Sequence, residues 1–310
     1  MTDKRIVFLG TPQLSAYVLE GMIKEGFNIV GVITKEDKPV GRKMILTPSP
    51  VAQIAKKYGI EIFKPHKLNK EFDFLYRLNP DLLLTFAYGQ LISTTILSLS
   101  KYKPLNLHAS LLPSYRGAAP IQYALRNGEK ETGISLMEMV KEMDAGDVYA
   151  VEKIEISPED NYSSLCNKLK DLGLMMAVKY LPLYFDNKLV PFSQDASKVT
   201  FCPSLKKEEE HLNINLAPKD FVNQVRSLSL LPGGYLLEDE SIIKIYEAEY
   251  YSDKVEAEEG TIVLAKKKDI VLQVNGGQVR LVLLQRPGKK MMSAQDYNNG
   301  NAFEVGKRLK

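Results

Sequence analysis

The 310-residue sequence predicts an α/β domain followed by a small all-β one, on three observations. Over the first third, short β-branched runs alternate with segments of helical period, as in βαβ units. A polar, charged stretch without clean periodicity follows near residue 190. From about Leu212 one helical pattern gives way to closely spaced strands, with Asn275-Gly276-Gly277 as a hairpin turn between two alternating runs. Residues 1–190 are therefore expected to form a Rossmann-like, mostly parallel sheet with helices on both faces, 191–211 a linker, and 212–310 a small OB-like antiparallel β-barrel.

In order along the chain, RIVFLG (5–10) reads as a buried strand, and TPQLSAYVLEGMIKEG as a helix with Leu14, Val18, Met22 and Ile23 on one face. FNIVGVIT (27–34) is the next strand. KEDKPVGRKMILTPSP, after Thr34, is too rich in Pro, Gly and Lys/Arg for either period and reads as a long loop, a kind that often carries function. A helix from Ser49 has Pro50 at its first position, where no N–H is needed. EIFKP, a helix after Asn69 and the strand DLLLTFAYG (81–89) continue the alternation. Sheets of this kind hold ligands at the carboxyl ends of their strands, where the strand order reverses. After a helix at about 160–183, SQDASKVTFCPSLKKEEEH is the linker; PKDFVNQVRSLS then reads as a helix, and GGYLLED, SIIKIYEAEYY, GTIVLAKK and DIVLQVNGGQVRLVLLQR as strands.

With 45% apolar and 25% charged residues the composition is that of an ordinary globular protein. No stretch approaches ~18 uninterrupted apolar residues, and TDKRIVFLG has no signal-peptide h-region, so a cytoplasmic protein away from the membrane is expected. Cys166 and Cys202 lie far apart without a CxxC pair, which fits a reducing compartment. None of His66, His108 and His211 has a His or Cys at metal-ligand spacing, so no metal is expected. Net charge is only +3, but residues 260–310 carry ten Lys/Arg against three Asp/Glu, and residues 35–67 eight against three. Two positive zones suit a polyanion spanning two domains, though two solvated faces balancing acidic ones would look the same.

The chemistry concentrates in KPLNLHASLLPSYRGAAPIQYAL. A strand from Leu105 to Ala109 puts Asn106 and His108 two apart, on one face, before a Pro- and Gly-punctuated loop and a helix beginning near Ala118. An amide donor beside an imidazole suits acyl transfer: the amide hydrogen-bonds an oxyanion while the imidazole moves a proton. In MVKEMDAGDVYA, Asp144 sits in a Gly-containing loop before a strand, from which a carboxylate could orient and charge His108. Taken singly, the plainer reading, in which Asn106 caps a turn and His108 is a satisfied core histidine, is the favoured one.

NLHASLLPSYRGAAPIQYAL resembles the signature of the folate-dependent formyltransferases. The opening FLGTP, the AAPIQ extension, the loop GRKMILTPSPV and the closing GKKMMSAQDYNNG resemble the branch of that family acting on methionyl-tRNA, in order and over nearly the whole chain. The resemblance implies transfer of the formyl group of 10-formyltetrahydrofolate to the α-amino group of methionine on initiator tRNA, by a monomer. It implies Asn106 as oxyanion donor, His108 as proton carrier and Asp144 as its partner. Ser110, Leu111, Leu112 and Pro113 match the folate-contacting segment, Tyr88, Gly89, Val140 and Met143 the walls around the pterin, and Arg42 the basic residue entering the tRNA acceptor end; Lys43 is a second tRNA-binding residue or simply solvated. Leu14 stands where most members carry Phe, so no aromatic contact is transferred to it. Rival readings are a family member acting on a small amine, such as glycinamide ribonucleotide or an amino-sugar nucleotide, and a non-catalytic RNA-binding protein. A nicotinamide-dependent oxidoreductase is excluded, because GTPQLS after the first strand lacks GxGxxG.

Overall fold

The computed structural model describes residues 3–41 and 43–310, Asn301 by its backbone alone. The chain divides into two compact units. The first comprises residues 1–120, 131–155 and 166–203, the second residues 121–130, 156–165 and 204–310. The break thus falls inside the stretch expected as a linker, and two excursions of the N-terminal half belong to the second unit.

The first unit is built on seven strands: β1 (Ile6–Gly10), β2 (Ile29–Ile33), β3 (Ile62–Phe63), β4 (Leu82–Phe86), β5 (Leu105–His108), β6 (Glu131–Glu138) and β7 (Val148–Glu155). They lie in the order β7-β6-β5-β4-β1-β2-β3. β3, β2, β1, β4 and β5 are parallel, while β6 runs antiparallel to both its neighbours. The order reverses between β1 and β4, so the crevice where such sheets hold ligands opens beyond Gly10 and Phe86. Ile6, Val7, Phe8 and Leu9 of β1 and Leu82, Leu83 and Leu84 of β4 are fully buried, as a sheet covered on both faces requires. On one face Val7, Leu9, Ile33 and Leu83 pack with Leu75, Leu78 and Ile96. On the other, Gly173 of the helix Tyr162–Phe185 lies so close to Phe86, Ile134 and Val18 that an added Cβ would sit 3.1–3.3 Å from them.

Three local expectations change. The helix Gln13–Lys24 buries Ser15, Ala16, Val18, Leu19 and Met22, leaving Leu14 and Ile23 half-buried. Ser15 can face inward because its hydroxyl donates to the Phe86 carbonyl, so no polar group is orphaned. The presumed loop after Thr34 contains a hairpin, Lys38–Val40 with Ile45–Thr47, its turn using positive φ at Gly41 and Met44. After it, Ser49 caps the helix Pro50–Lys57, accepting from the Ala52 N–H at 3.0 Å, a bond worth about 1 kcal/mol. The helix after Asn69 is only Phe74–Leu78, ended by Asn79 in the left-handed region.

In the second unit the helix Pro218–Leu228 is followed by β8 (Gly234–Glu238), β9 (Ser241–Ser252), β10 (Ile262–Lys266), β11 (Asp269–Val274), β12 (Gly277–Gln285) and β13 (Met292–Ser293). The path β8-β9-β12-β11-β10 is antiparallel, with β13 paired to β12. Its edges are bridged by the last residues: Lys310 exchanges two backbone hydrogen bonds with Leu237 of β8, while Gly306 and Lys307 bond Ile262 of β10. The sheet thereby becomes a small barrel-like body around Phe221, Val225, Ile243, Leu272 and Leu281, and part of each edge gains backbone partners.

Candidate active site

β5 carries Asn106 and His108 on one face, because side chains two apart on a strand point the same way. Asn106 lies opposite Thr85 of β4. The Thr85 hydroxyl donates to Asn106 Oδ1 at 2.7 Å, which turns the amide nitrogen toward Asp144, 3.5 Å from its Oδ1. His108 is 5% exposed. Its Nε2 is 2.8 Å from the Tyr115 carbonyl, which can only accept, so Nε2 carries a proton. Nδ1 faces Asp144 Oδ2 at 3.6 Å.

Asp144 reaches this position on the loop between β6 and β7, with φ +50°. That conformation is uncommon for a residue with a side chain and least so for Asp and Asn. Oδ2 also accepts the Gly117 N–H at 2.8 Å. Two glycines allow the close approach. A Cβ on Gly117 would lie 2.4 Å from the Cys202 carbonyl oxygen, and one on Gly146 2.1 Å from that of Glu138. The Gly117 segment is held by parallel pairing of Arg116–Gly117 with Phe201–Cys202, a strand inside the expected linker.

Cys202 donates its thiol to the same Tyr115 carbonyl at 3.1 Å. Burial pushes that thiol up to about 11, so it stays protonated at neutral pH and is no nucleophile. An amide, an imidazole and a carboxylate converge here, an arrangement that can polarise a carbonyl and move protons while one substrate attacks the other directly.

The remaining expected residues are distributed as follows. The Ser110 hydroxyl donates to the Ser114 carbonyl at 2.6 Å, and Ser135 of β6 pins the loop by donating to the Ser110 carbonyl and accepting from the Leu112 N–H. Leu112 is buried with Met137 and Val148; Leu111 lies against Gly133, and Pro113 is half-buried. Val140 lines a cavity of about 420 Å³ with Leu97, Tyr102, Pro104 and Met139. Met139 links that cavity to the trio, since its Sδ lies 3.3 Å from the Thr85 hydroxyl. Tyr88 is buried in the sheet core, its hydroxyl without a partner among the described residues; Gly89 is exposed, with the Lys35 ammonium over it, and Met143 is exposed. Lys43 is exposed, and Arg42 lies outside the described residues. Sequence reasoning missed Thr85, Gln194 and the Tyr115–Gly117 backbone. Thr85 had a signal, a lone polar residue inside an apolar run; Gln194 had none.

Fold and site together point to a class: an α/β enzyme with an amide, an imidazole and a carboxylate gathered at the carboxyl edge of a parallel sheet, a set suited to group transfer at a carbonyl. The formyl transferase model matches residues 4–181 and the formyl transferase C-terminal domain model residues 204–302. The chain belongs to the formyl transferase family, in the group of the methionyl-tRNA formyltransferases. It is 39% identical to the methionyl-tRNA formyltransferase of Lactobacillus johnsonii over 98% of both chains. To that of Mesoplasma florum it is 41% identical, over 99% of both. Among solved structures, an N-formyltransferase from Helicobacter canadensis, in complex with folinic acid and dTDP-3-aminofucose, superposes with a TM-score of 0.67 at 16% identity, covering 92% of this chain and 100% of that one. Methionyl-tRNA formyltransferase from Clostridium thermocellum gives 0.56 at 14% identity, covering 80% and 94%. At these identities the structures speak for the fold alone.

Proposed function

We propose that this chain transfers the formyl group of 10-formyltetrahydrofolate to the α-amino group of methionine on initiator tRNA, giving N-formylmethionyl-tRNA. The observation that carries the reading is the convergence of Asn106, His108 and Asp144 at the carboxyl edge of β5, with Asp144 3.5 Å from the Asn106 amide and 3.6 Å from the His108 ring, in a chain matching methionyl-tRNA formyltransferases over nearly its full length.

A free α-amine has a pKa of about 8 and esterification of the neighbouring carboxyl lowers it, so much of the nucleophile is neutral near pH 7 without a strong base. The amine attacks the formyl carbon, the carbonyl oxygen takes the negative charge, and the bond from carbon to N10 of the folate then breaks. Asn106 Nδ2 and the His108 ring stabilise that oxyanion; one such donor is worth about 3 to 4 kcal/mol. One proton leaves the amine and one reaches N10. His108, with a water held by Asp144, carries them, a contribution of about 10²- to 10⁴-fold. Ser110 to Pro113 and Val140 border the donor.

Charge placement supports a tRNA acceptor. In the C-terminal zone Arg280, Arg286, Lys307 and Arg308 are consumed by ion pairs with Glu249, Glu238, Asp239 and Glu258. Lys266, Lys267, Lys268, Lys289 and Lys290 are exposed, with no ion-pair partner among the described residues. Phosphates are met by such side chains. Arg42 and Lys43 take the acceptor end. The test is to incubate the protein with formyl-labelled donor and charged initiator tRNA: label must enter acid-precipitable RNA, and its failure to do so contradicts the reading.

A further inference from the structure

We propose that Gln194 is the positioning residue that holds Asp144 in register with His108, an inference that rests on the formyl-transfer reading of that site. Gln194 lies in the charged stretch before Phe201–Cys202, 50 residues from Asp144 in sequence. Its Nε2 donates to the carbonyls of Asp144 at 2.9 Å and Gly146 at 2.7 Å. Its Oε1 accepts from Arg116 Nε at 3.0 Å and from the terminal guanidinium nitrogen at 2.8 Å.

One side chain thus ties the β6–β7 loop to the segment from Tyr115 to Gly117. Those are the two pieces of backbone on which the site depends. The loop presents the Asp144 carboxylate. The segment presents the Tyr115 carbonyl to His108 Nε2 and the Gly117 N–H to Asp144 Oδ2. Asp144 stands in the left-handed region with φ +50°, so a loop released from Gln194 can relax toward commoner geometry and carry the carboxylate away. Side-chain displacements of about 1 Å can cost about 10²-fold in rate. Gln194 touches no reacting atom; it acts through Asp144.

The experiment compares Gln194→Met, which keeps the volume and removes every hydrogen bond, with Gln194→Ala. Steady-state formylation and ¹⁵N spectra of histidine-labelled protein are the two readouts. Both variants are expected to lower kcat about 10- to 100-fold while changing KM for the formyl donor less than threefold. The ring-nitrogen resonances of His108 move, while those of His66 and His211 stay. In an Asp144→Asn background the Gln194→Met change is expected to cost less than threefold further, because coupled residues are not additive. Unchanged His108 resonances, or an equal loss of kcat in both backgrounds, overturn the proposal. Wild-type protein that formylates nothing would instead fail the reading of function, and the spectra would still decide whether Gln194 sets the His108 environment.

Discussion

The Thr85 hydroxyl, donating to Asn106 Oδ1 at 2.7 Å, decides which end of the Asn106 amide faces Asp144. An amide's two ends differ only in what they bond, so a partner that donates to the oxygen selects the orientation in which the nitrogen points toward a carboxylate. Thr85→Val keeps the shape and removes the donor. With one hydrogen bond worth about 1 kcal/mol, kcat is expected to fall about 3- to 10-fold with little change in KM for either substrate. A rise in KM alone would place Thr85 in binding instead.

Asp144 touches Asn106, His108 and the Gly117 backbone. Asp144→Asn retains the shape and loses the charge. Turnover is expected to fall by about 10²-fold or more, while the formyl donor, followed by fluorescence quenching, binds within a few-fold of wild type. A variant with full turnover would remove Asp144 from the chemistry.

The exposed lysines of the β10–β11 turn, Lys266, Lys267 and Lys268, carry charge that no acid in the described residues neutralises. Replacing all three by Ala is expected to raise KM for tRNA several-fold and leave KM for the formyl donor unchanged. For every phosphate that a removed lysine had neutralised, the log–log dependence of tRNA affinity on salt flattens by about 0.7 to 0.9. An unaltered salt slope would show that these lysines are only a solvated turn.

Asp81 anchors the start of β4. Burial works against its charge, but the Lys101 ammonium at 2.8 Å and the Arg5 N–H at 2.7 Å together hold its carboxyl below the ordinary value of 3.8. A carboxyl lowered on folding contributes stability that is full above its unfolded value and lost as pH falls through the folded one. Asp81→Asn is therefore expected to lower Tm at pH 7, by about 1.5 to 3 kcal/mol of stability. The gap from wild type should close as pH drops below about 4. A gap that persists undiminished at pH 2 contradicts this.

Much of the fold was legible because it is written in local periodicity. β1, β2 and β4 follow from largely continuous apolar runs, and the barrel strands from short alternating ones. Asn106 and His108 were legible because two-residue spacing on a strand is a geometric statement in itself. What escaped depends on pairing distant in sequence. Phe201–Cys202 reads as irregular until Arg116–Gly117 is beside it, and Gln194 is one polar residue among many until the bridge between Phe192 and Val148 brings it to the Asp144 loop. Ser15 displaced Leu14 from the buried face because the Phe86 carbonyl needed a donor, a demand no window of the helix contains. The hairpin at Lys38–Thr47 was hidden by Pro, Gly and charge, which mask alternation over strands only three residues long.

The most direct measurement is a competition. Purified protein receives labelled 10-formyltetrahydrofolate with equimolar methionyl-tRNA and glycinamide ribonucleotide, and the label is located by separating the products. Label is expected on the methionine α-amine of the tRNA and almost none on the ribonucleotide, with Asp144→Asn slowing that transfer. Label on the small amine alone would contradict the assignment of a tRNA acceptor.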